Sequence, residues 1–442
     1  MPKLPQDFIN GIKAQLGDSY EIFAKSLETI PPVSLRINPK KRISEFDNCE
    51  KVKWASDAFY LPERISFTLD PHFHAGCYYV QEASSMFLES ALRQVITPGH
   101  SIKVLDLCAA PGGKSTHILS TLPEGSLLVS NEVIASRNTI LQQNLTKWGF
   151  SNVVVTQNDA SDFSRLPGFF DVIVVDAPCS GEGLFRKQPD AVDEWSADAV
   201  AVCATRQTAI LDDIYDSLKE GGYLIYSTCT FEASENENQI TRMIKKYEME
   251  LVKLNAGVDG IQSRENGLRF YPHLVNGEGF FISVLKKMEF VERVNFRNKQ
   301  SSSSNENQHL VTHLNLPEKF SAFKKNEELY AFPKEHFQDV MLLMDRLYVR
   351  KAGLHLGTIK GKDLVPDHEL ALSLDLNPEI TRVELSREDA IKYLRCDTLN
   401  IQDIPKGWAV VTFDNFPLGW IKGIGTRINN YFPRSLRVLK EQ

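Results

Sequence analysis

The chain has 442 residues, with 50 Lys and Arg against 57 Asp and Glu for a net charge of −7. That length suits about three domains with a sizeable core, and the acidic balance excludes a uniformly basic nucleic-acid-binding surface while leaving room for local basic patches. The seven cysteines are scattered and form no C-x-x-C pair, the start Met-Pro-Lys-Leu is not a charged-then-apolar leader, and no apolar run approaches the roughly 18 residues of a membrane span. These features predict a cytoplasmic protein with reduced thiols and no membrane attachment.

Residues 6 to 29 read as two short amphipathic helices, with Phe8, Ile9, Ile12 and Leu16 on one face and Tyr20, Phe23 and Leu27 on the next. Pro31 and Pro32 end them. An alternating strand from Val33 then runs into Arg36, Lys40, Lys41 and Arg42, which either meet phosphates or form a solvated strand end. His72, His74 and Cys77 cluster, but no second ligand group stands at zinc-site spacing, so the segment reads as a structural loop and no metal is expected. A short strand over Tyr78 to Gln81 and a helix over Glu82 to Val95 follow.

From Ser101 onward strands and helices alternate, which predicts a parallel sheet covered on both faces. Lys103 to Cys108 is its first strand and Gly113 to Leu122 the following helix. The turn between them, C-A-A-P-G-G-K-S, is not a phosphate-binding P-loop, because position 108 holds cysteine where that loop needs glycine. The G-x-G-x-x-G dinucleotide fingerprint cannot be laid on it either, which counts against a nicotinamide enzyme. What remains is a turn whose backbone can approach a nucleotide-like ligand without clamping a phosphate. Further strands are expected at Leu127 to Val133, Val153 to Asn158, Asp171 to Val175, Tyr223 to Ser227 and Gly279 to Leu285. Helices are expected at Ser136 to Phe150 and about Ser196 to Glu220, and one is expected to begin at a Ser234-Glu-Asn-Glu capping box. The strand ends carry Asp106, Glu132, Asp159, Asp176 and Cys229. One such acid is usually a helix cap; four in succession point to a ligand with several donors.

Gln300 to Gln308 is a polar, low-complexity stretch that reads as linker. Beyond it come short strand-like runs and a tail, Gly419 to Arg437, that interleaves cations with Trp420, Tyr431 and Phe432. This composition fits either RNA binding, with rings stacking on bases, or a β-rich domain with a solvated basic edge.

Cys179 and Cys229 fall at the ends of two neighbouring strands, in polar loops without a nearby histidine. This arrangement suits attack by a thiolate on an electron-poor ring carbon, and spacing does not tell which thiol attacks. The runs D-L-C-A-A-P-G-G-K-S (Asp106 to Ser115), D-A-P-C-S-G-E-G-L-F-R-K (Asp176 to Lys187), S-T-C-T (Ser227 to Thr230) and Y-Y-V-Q-E-A-S-S-M (Tyr78 to Met86) resemble the Sun-type, nucleolar-protein-related (NSUN-like) RNA cytosine 5-methyltransferases. The resemblance covers about Val33 to Lys287, and the flanking pieces are most similar to the RsmF-type small-subunit ribosomal RNA methyltransferases.

The resemblance implies a Rossmann-like class I S-adenosylmethionine-dependent methyltransferase fold of α/β class. It implies an N-terminal α+β RNA-binding domain (1–75), the methyltransferase domain (76–290), a linker (291–310) and a C-terminal β-rich, PUA-like RNA-binding domain (311–442). S-adenosyl-L-methionine is the implied cofactor, cradled by Cys108, Ala109, Ala110, Pro111, Gly112, Gly113 and Lys114, with Glu132 toward the ribose, Asp159 toward adenine and Asp176 near the methyl donor and base. Cys229 is implied as nucleophile, Cys179 as the residue assisting product release and Asp176 as partner of ring nitrogen 3; Lys114 and Arg186 orient the acid or contact RNA. The implied partner is RNA, in ribosomal RNA or a small ribosomal subunit, and the protein is expected as a monomer. Transfer RNA methylation and a non-catalytic ribosome-assembly role are the competing readings.

Overall fold

The computed structural model describes residues 4–188, 190–292, 304–399, 401 and 406–440. Helices α1 (Gln6–Leu16) and α2 (Tyr20–Leu27) follow the expected periodicity. Their buried side chains Phe8, Ile12, Phe23 and Leu27 pack on Phe185, Val192, Phe231 and Tyr271, so the N-terminal helices rest on the segments that follow the two strand-end cysteines. Strands β1 (Val33–Ile37), β2 (Ala58–Leu61) and, after α3 (Pro71–Ala75), β3 (Tyr78–Val80) form an antiparallel sheet in the order β2-β1-β3. Asp70 caps α3 and takes a hydrogen bond from Tyr78 Oη at 2.6 Å, while His72 Nε2 lies 3.1 Å from Asp414 Oδ2 of the C-terminal region. The histidine loop therefore braces two parts of the chain.

The basic cluster divides: Lys40 and Arg42 are exposed, as a solvated strand end would be, while Arg36 and Lys41 are buried. Lys41 is buried, and its ammonium donates to the carbonyls of Ala75, Lys147 and Leu372 at 2.8 to 2.9 Å; burial pulls it down to about 8. Arg36 is buried against the Trp148 ring and donates to Gln81, Ser120, Thr116 and the Gly113 carbonyl. Arg42 pairs with Asp47 and Asp57. Arg36 and Lys41 join the N-terminal sheet to the central domain, and Lys41 also reaches a C-terminal helix, which no composition argument reveals.

After α4 (Leu88–Val95), strands β4 (Lys103–Asp106), β5 (Leu127–Asn131), β6 (Val153–Thr156), β7 (Phe170–Asp176) and β8 (Leu218–Thr228) pair in parallel in the order β8-β7-β4-β5-β6. Helices α5 (Gly113–Thr121), α6 (Ala135–Trp148), α7 (Asp190–Glu194), α8 (Ala197–Ile214) and α9 (Glu237–Tyr247) connect them and continue the chain. Val and Ile fill these strands because both faces are covered by separate apolar clusters. Strands β9 (Glu250–Val252), β10 (Gln262–Arg264), β11 (Gly267–Phe270) and β12 (Phe280–Lys286) add an antiparallel flank in which β12 pairs with β8. The result is a Rossmann-like sheet.

Two boundaries differ from expectation. Helix α8 stops at Ile214, and Gly221-Gly222 lies inside β8. A side chain at Gly222 would meet the carbonyls of Asp171 and Lys219 at 2.9 Å, so Gly222 serves a close strand approach, and Gly221, at φ +72°, a turn of the backbone; neither stops a helix. Helix α9 begins at Glu237 without a side-chain cap. The carboxylates of the supposed capping box are engaged elsewhere: Glu235 by Ser180 and Gln207, Glu237 by Arg269.

The expected linker lies partly outside the described residues, but from Ser304 it is helical: α10 (Ser304–His313) leads with buried Leu310 into Leu314. Strands β13 (Phe320–Lys325) and β14 (Glu328–Pro333) follow, then α11 (Phe337–Arg346), β15 (Val349–Ala352), β16 (Leu354–Lys360), β17 (Asp363–Pro366) and α12 (His368–Leu372). Strand β15 pairs with β6 and so covers an edge of the central sheet. The chain closes with β18 (Arg382–Glu384), α13 (Arg387–Leu394), β19 (Gly407–Phe413), β20 (Phe416–Ile424) and β21 (Arg427–Asn430). Two four-stranded sheets result, β13-β14-β16-β17 and β18-β19-β20-β21. Trp420 and Phe432, read as stacking platforms, are buried in this C-terminal core. Among the described residues no helix is long and apolar enough to cross a membrane.

The contact of α4 with α5 carries a pH dependence. Buried His117 Nε2 lies 2.9 Å from Glu89 Oε2. Burial lowers His117 to about 4, while Glu89 stands near 2, its hydrogen bonds with His117 and Ser56 outweighing the cost of its burial. A histidine lowered on folding contributes stability above its unfolded value, and that contribution is lost on acidification. About 2 kcal/mol should therefore disappear between pH 6.5 and 5. Urea unfolding of the wild type and of His117→Gln at these two pH values checks this; the variant should show a distinctly smaller loss.

Candidate active site

The site is built at the carboxyl ends of β4, β7 and β8. Asp106 closes β4, fully buried, and takes the Ser115 hydroxyl at 2.6 Å; its Oδ1 has no hydrogen-bond partner, and burial lifts the carboxyl to about 7. The turn beyond it is held through its carbonyls. Asn131 Nδ2 donates to Leu107 O at 3.1 Å, Arg137 to Ala110 O at 2.9 Å and Asn144 to Pro111 O at 2.8 Å. Gly112 has φ +112°, and a Cβ there would stand 3.3 Å from Leu141 Cδ1, so only glycine turns the chain into α5 without strain. Cys108 is pushed up by burial and stays a neutral thiol.

Cys108 to Pro111, Gly113 and Lys114 line a cleft together with Asp176, opposite Tyr79 to Glu82 and Ser85. Glu132 and Asp159 are not part of that cleft and lie farther along the sheet, after β5 and β6. Glu132 is buried, accepts from Ile134 N at 2.9 Å and stands 3.4 Å from Arg137; Asp159 is exposed.

Asp176 ends β7. Its Oδ2 lies 2.7 Å from Lys114 Nζ and its Oδ1 takes the Ser227 hydroxyl at 2.8 Å. Burial works against the Lys114 charge, but Asp176, and further off Cys229 and Asp106, raise it overall. Cys179 Sγ and Cys229 Sγ are 3.2 Å apart. The hydrogen bond with Cys229, then burial, pushes the Cys179 thiol well up.

Two buried carboxylates tie the cysteine loops together. Glu235 accepts from Ser180 N at 3.0 Å, Ser180 Oγ at 2.5 Å and Gln207 Nε2 at 2.8 Å. Glu182 accepts from Thr230 Oγ1, Phe231 N and Trp195 Nε1, and burial raises it to about 8. Gln207 also reaches the Pro178 carbonyl at 3.0 Å. Sequence reasoning missed all three: Glu235 resembles a helix cap, Glu182 sits unmarked inside a quoted motif, and Gln207 looks like any helical residue. Arg186 is removed from the acid-orienting or RNA-contacting role. It is buried in a two-toothed pair with Glu278 at 3.0 to 3.2 Å and donates to Gly277 O.

The chain matches family models along most of its length. Residues 4–83 match the N-terminal domain of 16S rRNA methyltransferase RsmF, 93–286 the 16S rRNA methyltransferase RsmB/F model, 306–374 the RsmF first C-terminal domain and 381–438 the RsmF PUA domain. Ribosomal RNA small subunit methyltransferase F of Shewanella piezotolerans is 30% identical over 474 aligned positions, covering 99% of this chain and 98% of the relative. The Aliivibrio salmonicida protein of the same name is 29% identical, covering 91% and 90%. Among solved structures, a methyltransferase homolog protein from Pyrococcus horikoshii is 27% identical over 64% of this chain and 100% of its own, with a TM-score of 0.53. With its four segments in the same order and a relative aligned nearly end to end, this chain belongs to the RsmF family of 16S ribosomal RNA methyltransferases.

Proposed function

We propose that this protein methylates carbon 5 of cytosine in small-subunit ribosomal RNA, using S-adenosyl-L-methionine and a transient covalent bond from Cys229. The observation that carries the reading is the pair of thiols 3.2 Å apart beside the Lys114–Asp176 pair. The cofactor's ammonium and hydroxyl groups need acceptors, and the strand ends supply them: the unpartnered Asp106 Oδ1, then Glu132 and Asp159, around the carbonyl-rich turn Cys108 to Lys114. Bound there, the cofactor supplies an electrophilic methyl group for carbon 5.

Carbon 5 of an intact cytosine ring is a poor nucleophile. Thiolate addition from Cys229 to carbon 6 breaks the aromaticity and places electron density on carbon 5. As that density develops, ring nitrogen 3 takes up a proton passed from solvent by Asp176, which Lys114 and Ser227 hold in place, and returns it when the ring is restored. After methylation the carbon 5 proton is lost to solvent, its electron pair re-forms the carbon 5–carbon 6 double bond and expels the Cys229 thiolate, and Cys179, in contact with that sulfur, assists the release. A base must leave its stack to reach the thiols, which favours unpaired RNA. Glu235 and Glu182 hold the two loops in register. The N-terminal segment and the PUA segment engage the RNA around the target, the chain acts as a monomer, and its seven unpaired cysteines suit work in the cytoplasm. Mapping 5-methylcytosine in ribosomal RNA from cells with and without this protein tests the reading: one or more small-subunit positions should lose the mark. An unchanged map, or loss confined to transfer RNA, contradicts it.

A further inference from the structure

The two C-terminal sheets and helix α10 enclose a groove of about 1140 Å³ that contains no residue of either cysteine loop. Its walls carry Lys360 and Lys362 from the turn between β16 and β17, Lys422 from β20 and the half-buried Trp408 from β19. Among the described residues none of these three lysines has a carboxylate partner. Lys324, also on the wall, is paired with Glu327 at 3.5 Å, and Asp363 is the acid in the lining. On a chain of net charge −7, three unpaired cations around one groove are a local reversal of sign. The Trp408 ring is held edge-on by Tyr431 at 4.5 Å between centroids, and Lys422 Nζ lies over it at 4.8 Å.

We propose that this groove holds an unpaired stretch of RNA, with one base stacked on Trp408 and successive phosphates against Lys360, Lys362 and Lys422. Unpaired lysines follow a backbone, and an aromatic ring accepts the face of any base. A duplex keeps its bases stacked on each other and offers none to Trp408. The inference rests on the reading of the substrate as RNA and adds to it a second point of attachment, made by both C-terminal sheets together.

The test uses the full chain with a fluorescein-labelled 12-nucleotide oligouridylate and, for comparison, a blunt RNA duplex. The triple variant Lys360→Glu, Lys362→Glu, Lys422→Glu should weaken oligomer binding by more than about tenfold and flatten its salt dependence by about 2 in log–log slope. Trp408→Ala should weaken it by about tenfold with the slope unchanged, and Trp408→Phe should restore most of the loss. With ribosomal RNA as substrate, the same variants should raise KM and leave kcat in place. Unchanged oligomer affinity, an equal loss on the duplex, or a fall in kcat overturns the proposal. So does retained oligomer binding with weakened binding to assembled small subunits, which would assign the groove to a protein. A wild type that binds the oligomer but methylates nothing would contradict the enzymatic reading and leave the groove standing.

Discussion

Cys229→Ala should abolish methyl transfer, by at least about 10⁴-fold in kcat, while RNA affinity and thermal unfolding stay close to wild type. The loss is large because no other side chain near the base can take the thiolate's part. Contact with Cys229 and burial push the Cys179 thiol well up, burial raises Cys108 likewise, and without addition at carbon 6 the ring keeps its aromaticity. The fold should tolerate the change, since the bond that orders this loop runs from Gly183 N to the Cys229 carbonyl at 2.8 Å and does not involve the sulfur. Methylation assayed with purified protein, labelled cofactor and small-subunit RNA reads the effect directly. Activity within tenfold of wild type would mean that the reaction does not pass through this sulfur.

Asp176→Asn should lower kcat by about 10² to 10⁴, the usual range for losing a positioned acid or base. Asparagine can still accept from Ser227, so the loop geometry survives, but it cannot stabilise a proton on the base. It also leaves the Lys114 ammonium without its counter-charge 2.7 Å away, and breaking a half-buried pair by removing one partner destabilises the protein. The two consequences separate in the double variant Asp176→Asn, Lys114→Met. Thermal stability should recover relative to the single variant, and kcat should not. Recovery of both would reduce Asp176 to a counter-ion for Lys114.

The parallel sheet, the glycine turn and the strand-end acids were legible in the sequence because each rests on local pattern: buried β-branched runs, a Gly-Gly pair, polar residues where apolar strands stop. What stayed hidden depends on distant partners. Lys41 read as a surface cation, and its ammonium is fixed by the Leu372 carbonyl, far along the chain. Trp420 read as a base platform, yet its indole N–H is taken up by Asp367 O at 2.7 Å and its ring by the core; the ring left facing a groove is Trp408, outside the tail. Strand β15 looked like mixed sequence and completes an edge of the central sheet. The contact between the two thiols was equally invisible, since it joins loops from two different strand ends.

The most direct measurement is mass spectrometry, under denaturing conditions, of the Cys179→Ala protein incubated with RNA and S-adenosylmethionine. A stable protein–RNA adduct that digestion maps to Cys229 and a methylated cytosine is the predicted result. An adduct that forms in Cys229→Ala and not in Cys179→Ala would mean the two thiols have exchanged roles, and the absence of any adduct in either variant would contradict covalent catalysis by this pair.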